Sequence, residues 1–460
     1  MRRAPSPPRI PGIVWPPLSG IGVPHLSQDL HALSGIQWLP SAALRAAQFS
    51  QLDQLLRHAA RHSPYYRAML PEHGWRDVDE IGVFPLERLP ILTRAVLQDR
   101  SADLRADWVP PEHGHLHEAS SSGSTGRRVS VHKTALVSQM FNLLTLRQAF
   151  WHNRDLQGRI AVIRYLHDRE IADDPRGAVA DNWGSPFADL YQTGPAAMLD
   201  IRHDVRVQAE WLRLQNPDYL MTFPSNLRAL AELFRDKGWS LPRLREIQTL
   251  SEVLSPEVRT LAETVWGARI TDIYSAQEVG YIALQAPGGT HYLEQSEAAI
   301  VEVLDDEGRA CEVGETGRIV VTPLHNFATP MIRYDIGDLG EVGAPCPSGR
   351  GFPVIARIGG RVRNLVCTPD GRKYWPAVPL DVFNNVPPIR QFQLIQKTLT
   401  LIEARMAVSR PLSPLEESEV RRLMHEELAY PFDVRFTYVD ELHRDPANGK
   451  FEEFRSEILG

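Results

Sequence analysis

Ile247-Gln248-Thr249-Leu250 and, further on, Ile270-Thr271-Asp272-Ile273-Tyr274 enclose a segment that opens with Ser255-Pro256 and closes at Gly267. The two apolar runs are too short for helices and read as buried strands. Between them Ser255 offers a side-chain oxygen to unpaired helix donors, and Pro256 stands where its missing N–H costs nothing. Gly267 can end the helix. The stretch therefore predicts strand, helix, strand. Upstream, Tyr219–Phe223 predicts a strand leading into a helix near Ser225, Ile160–Ile163 a buried strand and Ala135–Trp151 a helix. Leu52, Leu55, Leu56 and Ala59 recur at helical spacing in a segment that starts at Ser41 and stops before Ser63-Pro64. This alternation predicts an α/β protein: a large N-terminal domain of layered β-sheets with flanking helices, over residues 33–359.

Downstream the rhythm changes. Ala298–Leu304, the turn Asp305-Asp306-Glu307-Gly308 and Gly317–Thr322 predict a β-rich subdomain at about 290–359. Residues 360–460 predict a small, mobile α+β C-terminal domain. It has strands at Gln391–Gln396, Thr398–Met406 and Asp433–Val439, and a helix begun by the capping box Ser413…Glu416 with Pro414 first. The paired glycines Gly359-Gly360 would permit a hinge there.

Residues 1–32 read as an irregular Pro-rich arm. No charge occurs between Ile10 and Gln28, but Pro11, Pro16, Pro17 and Pro24 interrupt the run. Each removes a backbone donor, which excludes a signal segment or a spanning helix. The whole chain has 460 residues, enough for two or three domains. With 43% apolar and 23% charged residues it is neither disordered, collagenous nor membrane-embedded. A net charge of −7 argues against a nucleic-acid partner. Three cysteines, Cys311, Cys346 and Cys367, suit a reducing cytoplasm.

The chemistry-bearing stretches are separate. Ser120-Ser121-Ser122-Gly123-Ser124-Thr125-Gly126-Arg127-Arg128 combines turn-permitting glycines, hydroxyl donors and two guanidiniums, which suits a polyphosphate. It does not fit the Walker pattern. On these residues alone a flexible Ser/Gly linker is an equal reading. Tyr274-Ser275-Ala276-Gln277-Glu278-Val279-Gly280 puts Glu278 at the carboxyl end of a strand, where open α/β sheets bind ligands. Tyr334-Asp335-Ile336-Gly337-Asp338 sets a carboxylate after a tight turn, and Arg357-Ile358-Gly359-Gly360-Arg361 brings two guanidiniums to the hinge. Asn448-Gly449-Lys450 lies in a polar loop near the C-terminus. Any one of these alone is better explained as a cap, a turn or a solvated charge.

In this order and at these separations the motifs resemble the adenylate-forming superfamily of acyl-CoA synthetases. The nearest branch is the phenylacetate–coenzyme A ligases and their capsule-biosynthesis relatives. The resemblance runs from about Leu33 to the end and includes Gln37-Trp38-Leu39, Ser63-Pro64-Tyr65-Tyr66-Arg67 and Leu89-Pro90-Ile91-Leu92-Thr93-Arg94. Thr322-Pro323-Leu324 and Pro330-Met331-Ile332-Arg333-Tyr334 continue it.

The resemblance implies an ATP-dependent ligase that forms an acyl-adenylate and then an acyl- or aryl-CoA thioester. ATP, Mg²⁺ and coenzyme A would be required, with a small carboxylic acid as substrate and a homodimer as the assembly. Ser121, Ser122, Gly123, Ser124, Thr125, Gly126 and Arg127 would hold the β- and γ-phosphates. Ser251-Glu252 and Tyr274-Ser275 would lie by the adenine or α-phosphate. Asp338 and Arg361 would meet the ribose, Glu278 would hold Mg²⁺ and Lys450 would bridge the two reacting groups. Arg363 occupies the family's hinge position, where an acidic residue is common. Transfer to an amine or a carrier-protein thiol is one alternative outcome, and a nucleotide-binding protein without catalysis is another.

Aromatic residues around Asn182-Trp183-Gly184, Phe187, Thr222 and Phe223 would suit a planar acid, although Trp and Phe are equally ordinary core residues. Some relatives carry a Cys/His zinc cluster. The matching positions here are Ala286, His291, Cys346 and Ser348, two ligands of the four a closed site needs, which predicts no zinc. His113, His115 and His117 alternate and would share one face of a strand entering the Ser/Gly loop.

Overall fold

The computed structural model describes residues 10–75, 86–120, 129–166, 168–361, 365–374, 382–383, 386, 388–443, 451 and 454–458. Side chains of residues 169, 361, 373 and 374 are outside this set.

The arm is irregular only as far as Gly22. Its backbone is tied down by Gln51, whose side-chain oxygen accepts from the amides of Val14 and Trp15 and whose amide donates to Gly12 O. A helix, Val23–Ile36, then replaces the expected irregular segment up to residue 32. Pro24, read from the sequence as a breaker, sits in its first turn, where it is harmless. Leu26, Leu33 and Ile36 recur on the buried face. The helix Ser41–His62 follows and buries Leu44, Leu52, Leu55 and Leu56.

β1 (Leu116–Ser120) and β2 (Ser130–Thr134) form a separate antiparallel ribbon, directly before the helix Ala135–Trp151. Then come β3 (Ile160–Arg164), β4 (Ala178–Ala180), β5 (Ala196–Asp200), β6 (Tyr219–Thr222), β7 (Glu246–Leu250) and β8 (Arg269–Ala276). Five of these, β5-β3-β6-β7-β8, lie side by side and parallel, with β4 antiparallel at the edge. Crossover helices Val205–Gln215, Pro224–Lys237 and Pro256–Trp266 link them, burying Leu212, Leu227, Leu230, Phe234 and Val258 in one apolar cluster. The last helix is capped by the Ser255 hydroxyl, has Pro256 in its first turn and ends on left-handed Gly267, as the sequence predicts.

β9 (Gly280–Gln285) turns back antiparallel to β8, and the sheet continues without a break. β10 (Tyr292–Glu294), β11 (Ala299–Leu304), β12 (Thr316–Pro323), β13 (Tyr334–Val342) and β14 (Val354–Arg361) complete twelve strands, in the order β11-β12-β13-β14-β10-β9 up to β8. The expected tight turn before Asp338 is instead an irregularity inside continuous β13, where Gly337 takes φ +80°. Gly359 and Gly360 likewise lie within β14, so the large sheet runs through the expected boundary as far as Arg361. Gly360 has φ +81°, and a Cβ built on it would stand 2.6 Å from Val253.

β15 (Val366–Cys367) and β16 (Lys373–Tyr374) pair with each other. β17 (Ile389–Gln396), β18 (Leu401–Val408), β19 (Asp433–Val439) and β20 (Phe454–Ser456) form a second sheet in the order β19-β18-β17-β20. The helix Pro414–Glu427 begins with the full Ser413/Glu416 capping box. It shares a core of Leu394, Ile402, Met406, Val420, Met424 and Phe432 with that sheet. Among the described residues no helix is long and apolar enough to cross a membrane.

Candidate active site

The parallel strands end together on one edge, and residues just past those ends make up the candidate site. After β7, Ser251 takes φ +70°, a conformation that is strained for a side-chain-bearing residue and clusters at functional sites. Glu252 follows, accepting the backbone amides of Ser225 at 2.9 Å and Phe451 at 3.2 Å. After β8 the turn Gln277–Val279 presents Glu278, which is 3% exposed.

Two tyrosines cross between the two halves of the sheet. Tyr334, at the start of β13, donates to Glu278 Oε1 at 3.1 Å, while Tyr274 on β8 donates to Asp338 Oδ2 on β13 at 2.8 Å. Each motif carboxylate is thus held by a phenol from the other's segment. A buried carboxylate needs such donors to stay oriented.

Arg94 approaches Glu278 Oε1 and Tyr334 Oη, each at 3.4 Å. Its place is fixed by the stretch before it. Leu92 bridges to β13, donating to Arg333 O and accepting from Asp335 N, and Thr93 caps the helix Arg94–Asp99. Arg333, at φ +55°, holds that stretch in place. It pairs with Glu302 at 2.9 Å and donates to the carbonyls of Glu87 and Leu89.

Lys133 completes the charge set. The residue is 8% exposed, and its ammonium donates to Gln277 O at 2.6 Å, in the turn that carries Glu278. Burial pushes its pKa down to about 8, against the pull of the Glu278 carboxylate. Neither Arg94 nor Lys133 was singled out from the sequence as a site residue. Lys133 did leave a signal. Val131 and Lys133 share the buried period-two face of β2, continuing from buried Val129 just before it, an improbable place for an ammonium unless something uses it.

A cleft of about 550 Å³ opens beside this turn, between the β1–β2 ribbon, the helix Ala135–Trp151 and β9. Lys133, Phe141, Gln277, Val279, Tyr281 and Asn326 are among its walls. The aromatic residues expected to line the acid pocket are not among the walls of this cleft. Trp183 donates to Gly158 O and packs edge-on against Phe187 and Tyr219. Phe223 belongs to the crossover-helix core, and Thr222 is fully buried, accepting from Asn226. The aromatic wall of this cleft comes from Phe141 and Tyr281, whose rings are 4.5 Å apart.

Ser121–Arg127, Arg363 and Lys450 fall outside the described residues, as does the side chain of Arg361, whose backbone pairs with Asp338. Ser275 is half-buried near the end of β8. The three alternating histidines do not share a strand face. His113 is fully buried in a single helical turn with Nε2 at 2.8 Å from Pro11 O, and the strand begins only at Leu116. Ala286, His291, Cys346 and Ser348 do come together: His291 Nε2 is 3.3 Å from Cys346 Sγ, itself 3.0 Å from Ser348 Oγ, and Ala286 N donates to His291 O.

Among the described residues no group of three metal-ligating side chains occurs. A magnesium ion does not need one. It is commonly held by one or two carboxylates together with substrate phosphates, and the single buried carboxylate of Glu278 at a strand end fits that mode.

No family model matches the chain. It is similar to a phenylacetate–coenzyme A ligase of Thermus thermophilus, 26% identical over 396 residues, which cover 82% of this chain and 84% of that protein. Among solved structures it is similar to 2-hydroxyisobutyryl-CoA ligase in the postadenylation state in complex with R3-HIB-AMP. The TM-score is 0.70 at 18% identity, covering 92% of this chain and 91% of that one. The same ligase with 2-HIB-AMP and CoA in the thioesterification state gives 0.59 at 19% identity, covering 92% of each chain.

Proposed function

We propose that this chain, a member of the adenylate-forming superfamily on its phenylacetate–coenzyme A ligase branch, activates a small carboxylic acid with ATP and passes it to coenzyme A. In the first step a carboxylate oxygen attacks the α-phosphorus and the bond to pyrophosphate breaks, leaving an acyl-adenylate. In the second the thiolate sulfur attacks the acyl carbon, and the bond to AMP breaks.

The observation that carries this reading is the crossed pairing of Tyr274 with Asp338 and Tyr334 with Glu278 at the carboxyl edge of the parallel strands. It brings two motifs far apart in sequence into one place, with their carboxylates preset. Asp338, with Arg361, receives the ribose hydroxyls, and Ser251-Glu252 and Tyr274-Ser275 flank the adenine. Ser121–Arg127 takes the β- and γ-phosphates. Glu278 would hold Mg²⁺, which supplies charge neutralisation between the two anions that must meet.

Lys450, on the C-terminal lobe, brings an ammonium to the carboxylate and α-phosphate during adenylation and leaves with that lobe for transfer. In support, the amide of its neighbour Phe451 contacts Glu252 at the site's edge. Cys311, Cys346 and Cys367 form no disulfide, which supports a cytosolic setting.

The test is pyrophosphate release from ATP with Mg²⁺ across a panel of acids, with and without coenzyme A. Acid-dependent release followed by coenzyme A consumption is expected. Release without coenzyme A consumption would redirect the second step to another acceptor, and no acid-dependent release would end the ligase reading.

A further inference from the structure

Lys133 has no role in the two-step reaction as described, yet its setting in the cleft is specific. It stands directly opposite His117 in the β1–β2 register, and both line the cleft. Side chains paired this way have Cβ atoms about 5 Å apart on one face. Two basic groups so placed repel each other, and burial together with the neighbouring Lys133 lowers the His117 pKa. An ammonium carries three donors. Among the described residues Lys133 spends one, on Gln277 O, and no carboxylate stands within ion-pair distance of it.

Two further polar atoms of the wall lack a partner among the described residues. Asn326 is 1% exposed, its oxygen takes the Thr329 amide, and its Nδ2 has no partner among the described residues. His117 Nδ1 is likewise buried without a partner. Of the carboxylates here, Glu278 is engaged by Tyr334 and Arg94, while Glu118, which also lines the cleft, is exposed to solvent and accepts from Ser130. A cleft shaped for a purely apolar acyl group would gain nothing from this set. A buried ammonium and unpaired donors cost stability unless an anionic acceptor arrives to use them.

We propose that the cleft takes a carboxylic acid bearing a second acidic group, in the simplest case a dicarboxylic acid, held at that second group by Lys133 and His117 with Asn326 Nδ2 beside them. The apolar wall from Phe141, Val279 and Tyr281 covers the carbon skeleton between the two ends. This rests on the ligase reading above and names its substrate class.

The experiment compares matched pairs, butanoate with butanedioate and benzoate with benzene-1,3-dicarboxylate, as kcat/KM for pyrophosphate release. The wild-type protein should favour the diacid in at least one pair by about tenfold or more, and Lys133→Met should collapse that ratio. Lys133→Arg, which keeps the charge, should retain most of it, and matching melting curves for the three proteins exclude a folding loss. Preference for the monoacid in both pairs, or a ratio unmoved by Lys133→Met, overturns the proposal. Equal losses on both members of a pair would also overturn it and make Lys133 a support for the Glu278 turn. Should no acid drive pyrophosphate release, the ligase reading fails separately. Calorimetric titration of the two diacids without nucleotide then decides: binding abolished by Lys133→Met keeps the anion site, and absence of binding to wild type removes it.

Discussion

The phenol of Tyr274 donates to Asp338 Oδ2 at 2.8 Å, joining the last parallel strand to the middle of the antiparallel half of the same sheet. Asp338 is 8% exposed, so without this donor its carboxylate would lose a partner that water cannot fully replace. Losing such a bond costs about 1–3 kcal/mol. Tyr274→Phe should therefore raise KM for ATP by about tenfold while moving KM for the acid much less. Initial rates at varied ATP and fixed acid measure this, and an unchanged KM for ATP would separate Asp338 from nucleotide binding.

Lys450→Ala should suppress adenylate formation by at least about 10² in rate, the scale of losing a charge at the reacting centre. Conversion of a synthetic acyl-adenylate to thioester should be largely spared. Pyrophosphate exchange and single-turnover thioester formation measure the two halves separately. Equal loss in both would mean that the lysine serves the fold or the lobe interface.

Arg333→Ala should be among the most destabilising single changes in the large domain. Arg333 and Glu302 are 4% and 9% exposed, and the guanidinium also ties down the carbonyls of Glu87 and Leu89. Breaking a buried pair from one side costs about 3–5 kcal/mol. Activity should fall alongside stability, because the Leu89–Arg94 stretch carries Arg94 to Glu278. Urea midpoints and residual activity at low temperature check the two effects. Full activity with lowered stability would show that Arg94 is placed by something else.

The fully buried carboxyl of Glu294 is pushed by burial up to about 8, with Arg45 pulling partly against the shift. Its folded-state pKa is raised above the ordinary 4.5, so the folded chain keeps a proton that the unfolded chain has lost. The associated stability is complete below the unfolded value and is lost as pH rises towards 8. Asp272, pushed by burial up to about 6, acts with the same sign over a narrower window. Glu294→Gln should therefore melt above wild type at pH 8.5, with the gap closing near pH 4.5. A gap that is independent of pH would mean Glu294 is charged in the folded protein.

Much of the fold could be read because local chemistry and tertiary placement agree. Ser255, Pro256 and Gly267 bound their helix as the sequence says, as do Ser413 and Glu416 at the start of theirs. The sequence is ambiguous where a residue type has two uses. Pro24 breaks a helix from inside but starts one from its first turn, so an arm expected to be irregular to residue 32 became helical at Val23. Trp183 and Phe187 are apolar rings that a pocket or a core would use equally, and here they pack against each other and Tyr219. Glu278 and Asp338 could be singled out because each lies in a motif. Arg94 and Lys133 reach the same place through long-range pairing, which no short spacing encodes.

The closeness of Gly360 to Val253 also bears on how the protein could be re-engineered. Any side chain at 360 would press on the segment that follows Ser251, on top of the strain of a positive φ. The glycine pair is therefore built into the floor of the large sheet and makes a poor seam. Chimeras that exchange tail lobes between relatives should be spliced beyond Arg361, leaving β14 intact with its own partners.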